Sequence, residues 1–298
     1  MTWFESIVLG LVQGLTEFLP ISSSAHLRLA ATAAGWPDPG AAFTAVAQLG
    51  TETAVLIYFR KDITRIVSAW ARSLVKDEAR KDLDAKIGWL VIVGSLPIGV
   101  LGLTLKDYIA GPFRDLRLVA FSLITLGIVL AIADRYATRA ALAASHPVGP
   151  HRTAPPVKQL EDLTVRDGLV YGLCQALALI PGMSRSGSTI TGGLFLRYDR
   201  AAAARYSFLL AIPAVLASGA YELSEIGAHG SRVAWGPTVV ATIVGGLVGY
   251  AVIAWFMKFI STRSFLPFVI YRVALGTVLL VLIWLGLLDP LAGSAVGG

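Results

Sequence analysis

The sequence predicts an all-α integral membrane protein: six transmembrane helices plus two re-entrant helical hairpins, related by an inverted-topology internal repeat. Three observations carry that expectation. The 298 residues are 55% hydrophobic and 15% charged, with a mean hydropathy of +0.69, whereas soluble domains carry charge on about a quarter of their residues. Apolar segments recur to the C-terminus, so a cleaved leader does not account for the bias. Two proline-broken, serine-rich segments also resemble each other at an offset of 162 residues. The formal net charge of +6 is read as membrane topology, and no nucleic-acid partner is expected.

A spanning helix needs roughly 20 mostly apolar residues. Residues 3–19 fall short and end at Pro20, followed at once by a serine-rich turn. Residues 41–59 make the first span, and the mixed-sign stretch 60–86 reads as an amphipathic surface helix on anionic lipid. Spans follow at 87–105 and 118–133. The stretch 134–167 is a loop in which His146 and His151 are solvated, as His229 is in a later loop. Residues 168–180 repeat the first pattern and end at Pro181, and spans at 206–221, 236–259 and 266–288 complete the chain. Broken helices at membrane depth are tolerated only where they are buried in protein or line a wet cavity, so both interrupted segments are expected to be re-entrant. The lone cysteine, Cys174, is a packing residue in an apolar run.

Lysines and arginines orient these elements. Eight lie in 60–86, five in 134–167 and three in 197–205, joined by Lys258 and Arg263; Lys106, Arg114, Arg117 and Arg232 fall on the other side. Positive-inside bias places the larger group in the cytoplasm and both termini outside. The segment GLVQGLTEFLPISSSAH aligns with GLCQALALIPGMSRSGS, matching Gln13 to Gln175 and Ser22 to Ser184, and Gly127 matches Gly276 at a similar offset. The chain is thus one membrane domain, 1–298: repeat A at about 1–133, a cytoplasmic loop at 134–167 and repeat B at about 168–288. An odd number of crossings per half inverts the second half, as in many transporters.

Ionisable residues inside a span cost about 2.5–3.5 kcal/mol each and mark function by default. Here Glu17, His26, Arg28 and Arg185 lie in or beside the two turns. Each turn has the composition of a helix N-terminus, which offers unpaired N–H groups to an anion. Arg185 adds a fork suited to phosphate oxygens. Hydroxyls and amides of Ser22, Ser24, Ser184, Ser186, Gly187 and Thr189 complete the expected phosphate cradle. Ser23 and His26, three apart, share a helical face, which permits a histidine-activated serine or a histidine acting on water. Gln13 and Glu17, four apart, offer oxygens suited to a divalent cation, Mg2+ or Ca2+. Serine-rich turns often do no more than cap a helix, but here complementary halves of one site fall at matching places in a repeat. Arg28 is expected to snorkel to the interface and Arg272 to make a second anion contact. Glu52 either faces the cavity or bonds within the bundle.

The pair GLVQGLTEFLPISSSAH and PGMSRSGST resembles the two signature motifs of the undecaprenyl-diphosphate phosphatases of the bacitracin-resistance type. AVAQLGTETAVLIYF and FVIYRVALG also resemble family segments, so the likeness covers nearly the whole chain. The resemblance implies a bacterial inner-membrane enzyme that hydrolyses undecaprenyl diphosphate at the outer face, releasing phosphate and the lipid carrier for peptidoglycan synthesis. It implies metal binding at Gln13 and Glu17, with Glu17 the main ligand because this chain has glutamine at the first position. It implies catalytic roles for Ser23, His26 and Arg185; Ala25 stands where the family often has glycine. Expected partners are the polyprenyl diphosphate lipid and the bilayer, with a homodimer left open. The rival reading is a flippase for a polyprenyl phosphate, alone or as a second role. An acid-phosphatase-like lipid phosphatase is rejected, because no Arg-Pro dipeptide occurs.

Overall fold

The structure, a computed structural model, describes residues 1–37, 40–110, 113, 115–145, 156–225 and 234–291. His146, His151, His229, Arg114 and Arg232 lie outside the described residues. Those described fold entirely into helices and turns, with one isolated bridge between Lys158 and Tyr198.

The chain opens with a broken pair, α1 (Trp3–Thr16) and α2 (Ser23–Ala33), then α3 (Gly40–Tyr58) and α4 (Arg60–Val75). There follow α5 (Leu83–Thr104), the short α6 (Lys106–Ala110) and α7 (Leu116–Ser145). A second broken pair, α8 (Val165–Ala176) and α9 (Arg185–Phe195), precedes α10 (Arg200–Glu225), α11 (Trp235–Ile260) and α12 (Leu266–Trp284). Helix α7 runs past residue 133, where the apolar stretch ends, because RYATRAALAAS still favours helix. Its first turn is ordered by Asp115, whose carboxylate accepts from the N–H and Nε of Arg117.

Among the described residues, α5, α7, α10, α11 and α12 are long and apolar enough to cross a bilayer, which makes this a multi-pass membrane protein. Large apolar side chains such as Leu247, Ile270, Leu103 and Trp284 point outward, whereas a soluble bundle would bury them. Helix α3 has the length of α12, 19 residues. The run QLGTET places polar residues in the middle of α3.

Without a hydrophobic drive between helices in lipid, small residues let backbones approach and supply packing. A Cβ on Gly50 of α3 would lie 2.0 Å from the Thr242 carbonyl of α11, and one on Gly10 of α1 would lie 2.6 Å from that of Ala241. Helix α11 thereby sets the rotation of both α1 and α3. Gly50→Val should destabilise the protein by roughly 1–3 kcal/mol through overpacking, read as a lower thermal unfolding midpoint in detergent.

The two broken pairs correspond closely. Both start with a reciprocal cap, Thr2 with Glu5 and Thr164 with Asp167. Asp167 also accepts from Lys158 and Tyr198, tying the preceding segment to the base of α8. Helix α1 packs on α11, and α8 packs on α5 in the equivalent way, with Gly172 against Gly94. Both turns end on a serine at positive φ, Ser22 at 74° and Ser184 at 64°. In each, that serine's hydroxyl lies 3.2 Å from the hydroxyl two residues on.

Candidate active site

The site is centred on Glu17, the residue that closes α1. Pro20 lacks an N–H and prevents helix from running through the turn, so the chain reverses and α2 begins at Ser23. That reversal leaves the Glu17 carboxylate beside the start of α2. Its Oε2 accepts from Gln13 Nε2 at 2.8 Å and from Ser23 Oγ at 2.6 Å. Its Oε1 accepts from Arg185 Nη2 at 2.8 Å and from Gln48 Nε2 at 3.0 Å. Gln13 and Glu17 on α1, Ser23 on α2, Gln48 on α3 and Arg185 on α9 thus converge on one carboxylate. The second turn touches the first directly, since Ser186 Oγ donates to the Leu19 carbonyl at 3.2 Å.

Ser23 does not bond to His26, contrary to the pairing their spacing allows. The Ser23 hydroxyl goes to Glu17 instead, because a bond to a carboxylate is the stronger of the two. His26 Nδ1 donates to the Ser22 carbonyl at 2.7 Å. A carbonyl can only accept, which assigns the neutral ring's proton to Nδ1 and leaves Nε2 as the acceptor. Tyr271 Oη, 2.6 Å away, donates to it, and the two rings stack with centroids 5.5 Å apart.

The two helix starts differ where it matters for an anion. Ser184 caps α9 by accepting the Gly187 N–H at 3.1 Å. No side chain caps α2, whose Ncap is Ser22, so its first-turn N–H groups are the ones open to an anion. Several expected cradle residues are engaged elsewhere. Thr189 is fully buried, donating to the Arg185 carbonyl and pairing with Ser207 of α10. Ser184, Ser186 and Gly187 cap α9 and dock it on the first turn, and Ser24 is exposed beside Ser22. In a serine-rich turn, helix capping and packing use the hydroxyls before a ligand can.

Arg272 was expected to make a second anion contact; the structure shows it engaged with backbone. It is 0% exposed, and its donors all meet backbone carbonyls: Leu123 and Ser122 on α7, Pro20 in the first turn and Gly182 in the second. Gly182 has φ of 90°, and a Cβ there would lie 2.6 Å from the Val119 carbonyl, so glycine lets the second turn press against α7. Arg28 is buried at 7% exposure rather than snorkelling, and its charge reaches Asp115.

Gln48, Glu52 and Tyr271 were not assigned to the site by their motifs. Gln48 and Glu52 are four apart on α3, a spacing that puts both on one face. Glu52 Oε2 lies 3.9 Å from Arg185 Nη1. Three polar atoms in this buried cluster have no hydrogen-bond partner: Gln13 Oε1, Glu52 Oε1 and Arg185 Nη1.

A family model described as bacitracin resistance protein BacA matches residues 6–278. The undecaprenyl-diphosphatase 2 of Streptomyces avermitilis is 65% identical over 297 residues, covering 100% of both chains. The undecaprenyl-diphosphatase of Streptomyces griseus is 68% identical over the same length, again covering 100% of both. That of Micrococcus luteus is 54% identical over 294 residues, covering 97% of this chain and all of its own. A match that spans both hairpins, together with end-to-end relatives at these identities, places the chain in the bacitracin resistance protein BacA family.

Proposed function

We propose that the protein is a membrane phosphatase that hydrolyses undecaprenyl diphosphate to undecaprenyl phosphate and inorganic phosphate, as the names of its relatives indicate. In a bacterium that step recycles the lipid carrier for peptidoglycan and gives resistance to bacitracin. The observation that carries the reading is the joining of Ser23 and Arg185 through Glu17 at the uncapped start of α2. A nucleophile, a phosphate-binding cation and open amide donors thus meet at one point.

The terminal phosphoryl group enters this point while the lipid tail lies along the apolar outer faces. Arg185 Nη1 and the first-turn amides of α2 bind its oxygens. Electrostatic stabilisation of this kind is the main part of phosphoryl-transfer catalysis. Ser23 Oγ attacks phosphorus and passes its proton to Glu17 Oε2. The P–O bond to the bridging oxygen breaks, and the lipid monophosphate leaves. Water then attacks the phosphoserine and yields a proton to His26 Nε2 once Tyr271 has moved aside. Glu17 returns its proton to the serine oxygen, phosphate is released, and His26 gives up the water's proton to the departing phosphate or to solvent.

A divalent cation, Mg2+ or Ca2+, belongs to the proposal. The buried, donorless Gln13 Oε1 beside Glu17 fits such an ion, so Glu17 and Gln13 would hold it. A bound cation supplies charge neutralisation at the phosphoryl oxygens.

The proposed topology keeps six crossings and two re-entrant pairs. Helices α1, α2, α8 and α9 have 14, 11, 12 and 11 residues, short of a full crossing. Helix α3 crosses with its polar face turned inward, Thr51 and Glu52 being 1% and 2% exposed. Positive-inside bias puts the site towards the outer side of the bacterial inner membrane.

The test is phosphate release from undecaprenyl diphosphate by the purified protein in detergent. Ser23→Ala should lower turnover by at least about a thousandfold. His26→Ala should slow the second step and let phosphorylated Ser23 accumulate, as read by mass spectrometry. Wild-type turnover in Ser23→Ala would remove the serine from the chemistry.

A further inference from the structure

We propose that Glu52 is a ligand of the divalent cation, a carboxylate from α3 that replaces the one Gln13 does not provide from α1. The inference rests on the reading of the site as cation-dependent and assigns the metal's second acidic ligand.

Placement is the first argument. Glu52 is 2% exposed and lies one turn beyond Gln48, whose Nε2 reaches Glu17 Oε1 at 3.0 Å. The face of α3 that touches Glu17 therefore also carries Glu52. Charge is the second. Two buried carboxylates, Glu17 and Glu52, share one guanidinium, with Arg185 Nη2 at 2.8 Å from Glu17 and Nη1 at 3.9 Å from Glu52. When both are ionised they exceed the guanidinium by one negative charge, which a buried site holds only with a further cation, the alternative being uptake of a proton.

The unpaired atoms are the third argument, and they identify what is missing. Glu52 Oε1 and Gln13 Oε1 receive no hydrogen bond, and Arg185 Nη1 donates none. Two bare acceptors call for a cation, and one bare donor calls for an anion. A divalent ion carrying a phosphoryl group satisfies all three. If Glu52 were only a counter-ion to Arg185, a hydrogen-bonded contact would be expected, and the 3.9 Å separation is too long for one. The ligands are oxygens alone, which suits Mg2+ or Ca2+. Among the described residues no cluster of three His, Cys, Asp or Glu side chains forms a metal cage. Two carboxylates and an amide oxygen leave coordination positions for substrate and water, as Mg2+ commonly retains.

The test is Mn2+ binding, followed by electron paramagnetic resonance on EDTA-stripped protein in detergent without lipid substrate. Glu52→Gln should weaken Mn2+ binding by about tenfold or more and raise the cation concentration needed for half-maximal phosphate release. Gln13→Glu combined with Glu52→Gln should restore tight binding, because the carboxylate returns to the site from α1. Thermal unfolding checks the fold, and Glu52→Asp, with intermediate affinity expected, stands in if the glutamine variant is unstable. Wild-type Mn2+ affinity in Glu52→Gln, alongside lost binding in Glu17→Gln, would overturn the role of Glu52 and leave the cation-dependent reading intact. A wild type that binds no Mn2+ and hydrolyses substrate in EDTA would overturn both.

Discussion

Arg185→Ala should reduce phosphate release by about a thousandfold or more, the scale on which an arginine stabilises phosphoryl transfer. The side chain is 12% exposed and has one amine on Glu17 with the other unpaired. Its removal takes away the guanidinium facing the phosphoryl oxygens and the hydrogen bond that Arg185 Nη2 donates to Glu17 Oε1. Arg185→Lys should recover little, because a point charge cannot hold Glu17 and phosphate at once as a planar fork can. Turnover and KM measured in detergent, beside thermal unfolding of the same samples, separate the chemical loss from misfolding. Near-wild-type turnover in Arg185→Ala would mean that the phosphate cradle has been misplaced.

Arg272→Met should cost roughly 2–6 kcal/mol of stability, taking about 1–3 kcal/mol for each buried acceptor left bare at Pro20 and Gly182. The bonds to those two carbonyls, both 2.8 Å, hold the broken pairs in register against α7. The fall in melting midpoint should come with a loss of activity at all substrate concentrations. A contact to substrate phosphate would behave differently, raising KM and leaving the midpoint unchanged. That second pattern would restore the anion role assigned from sequence.

Arg272 shows where reading a sequence stops. A deep arginine in an apolar span signals that something polar must meet it, and the span FVIYRVALG carries that signal. Its partners are carbonyls 252 and 90 positions away along the chain, and a carbonyl has no signature in sequence. Ser184, Ser186 and Thr189 show a related limit: a hydroxyl that caps or docks a helix and one that binds phosphate have the same letter. Pro20 and Pro181 were informative together with the serine-rich turns that follow them, because Pro97 and Pro213 lie inside α5 and α10 without ending those helices.

What the sequence determined by itself was local: the apolar spans, the two breaks, their mutual resemblance, and the shared face of Gln13 with Glu17. Each follows from composition or from a spacing within a few turns of helix. The tertiary structure alone decided that the Ser23 hydroxyl bonds Glu17 rather than His26, that Arg272 staples backbone, and that Glu52 enters the site. Those outcomes depend on helix rotation and depth, which are set by close approaches such as Gly50 on Thr242 between segments far apart in the chain.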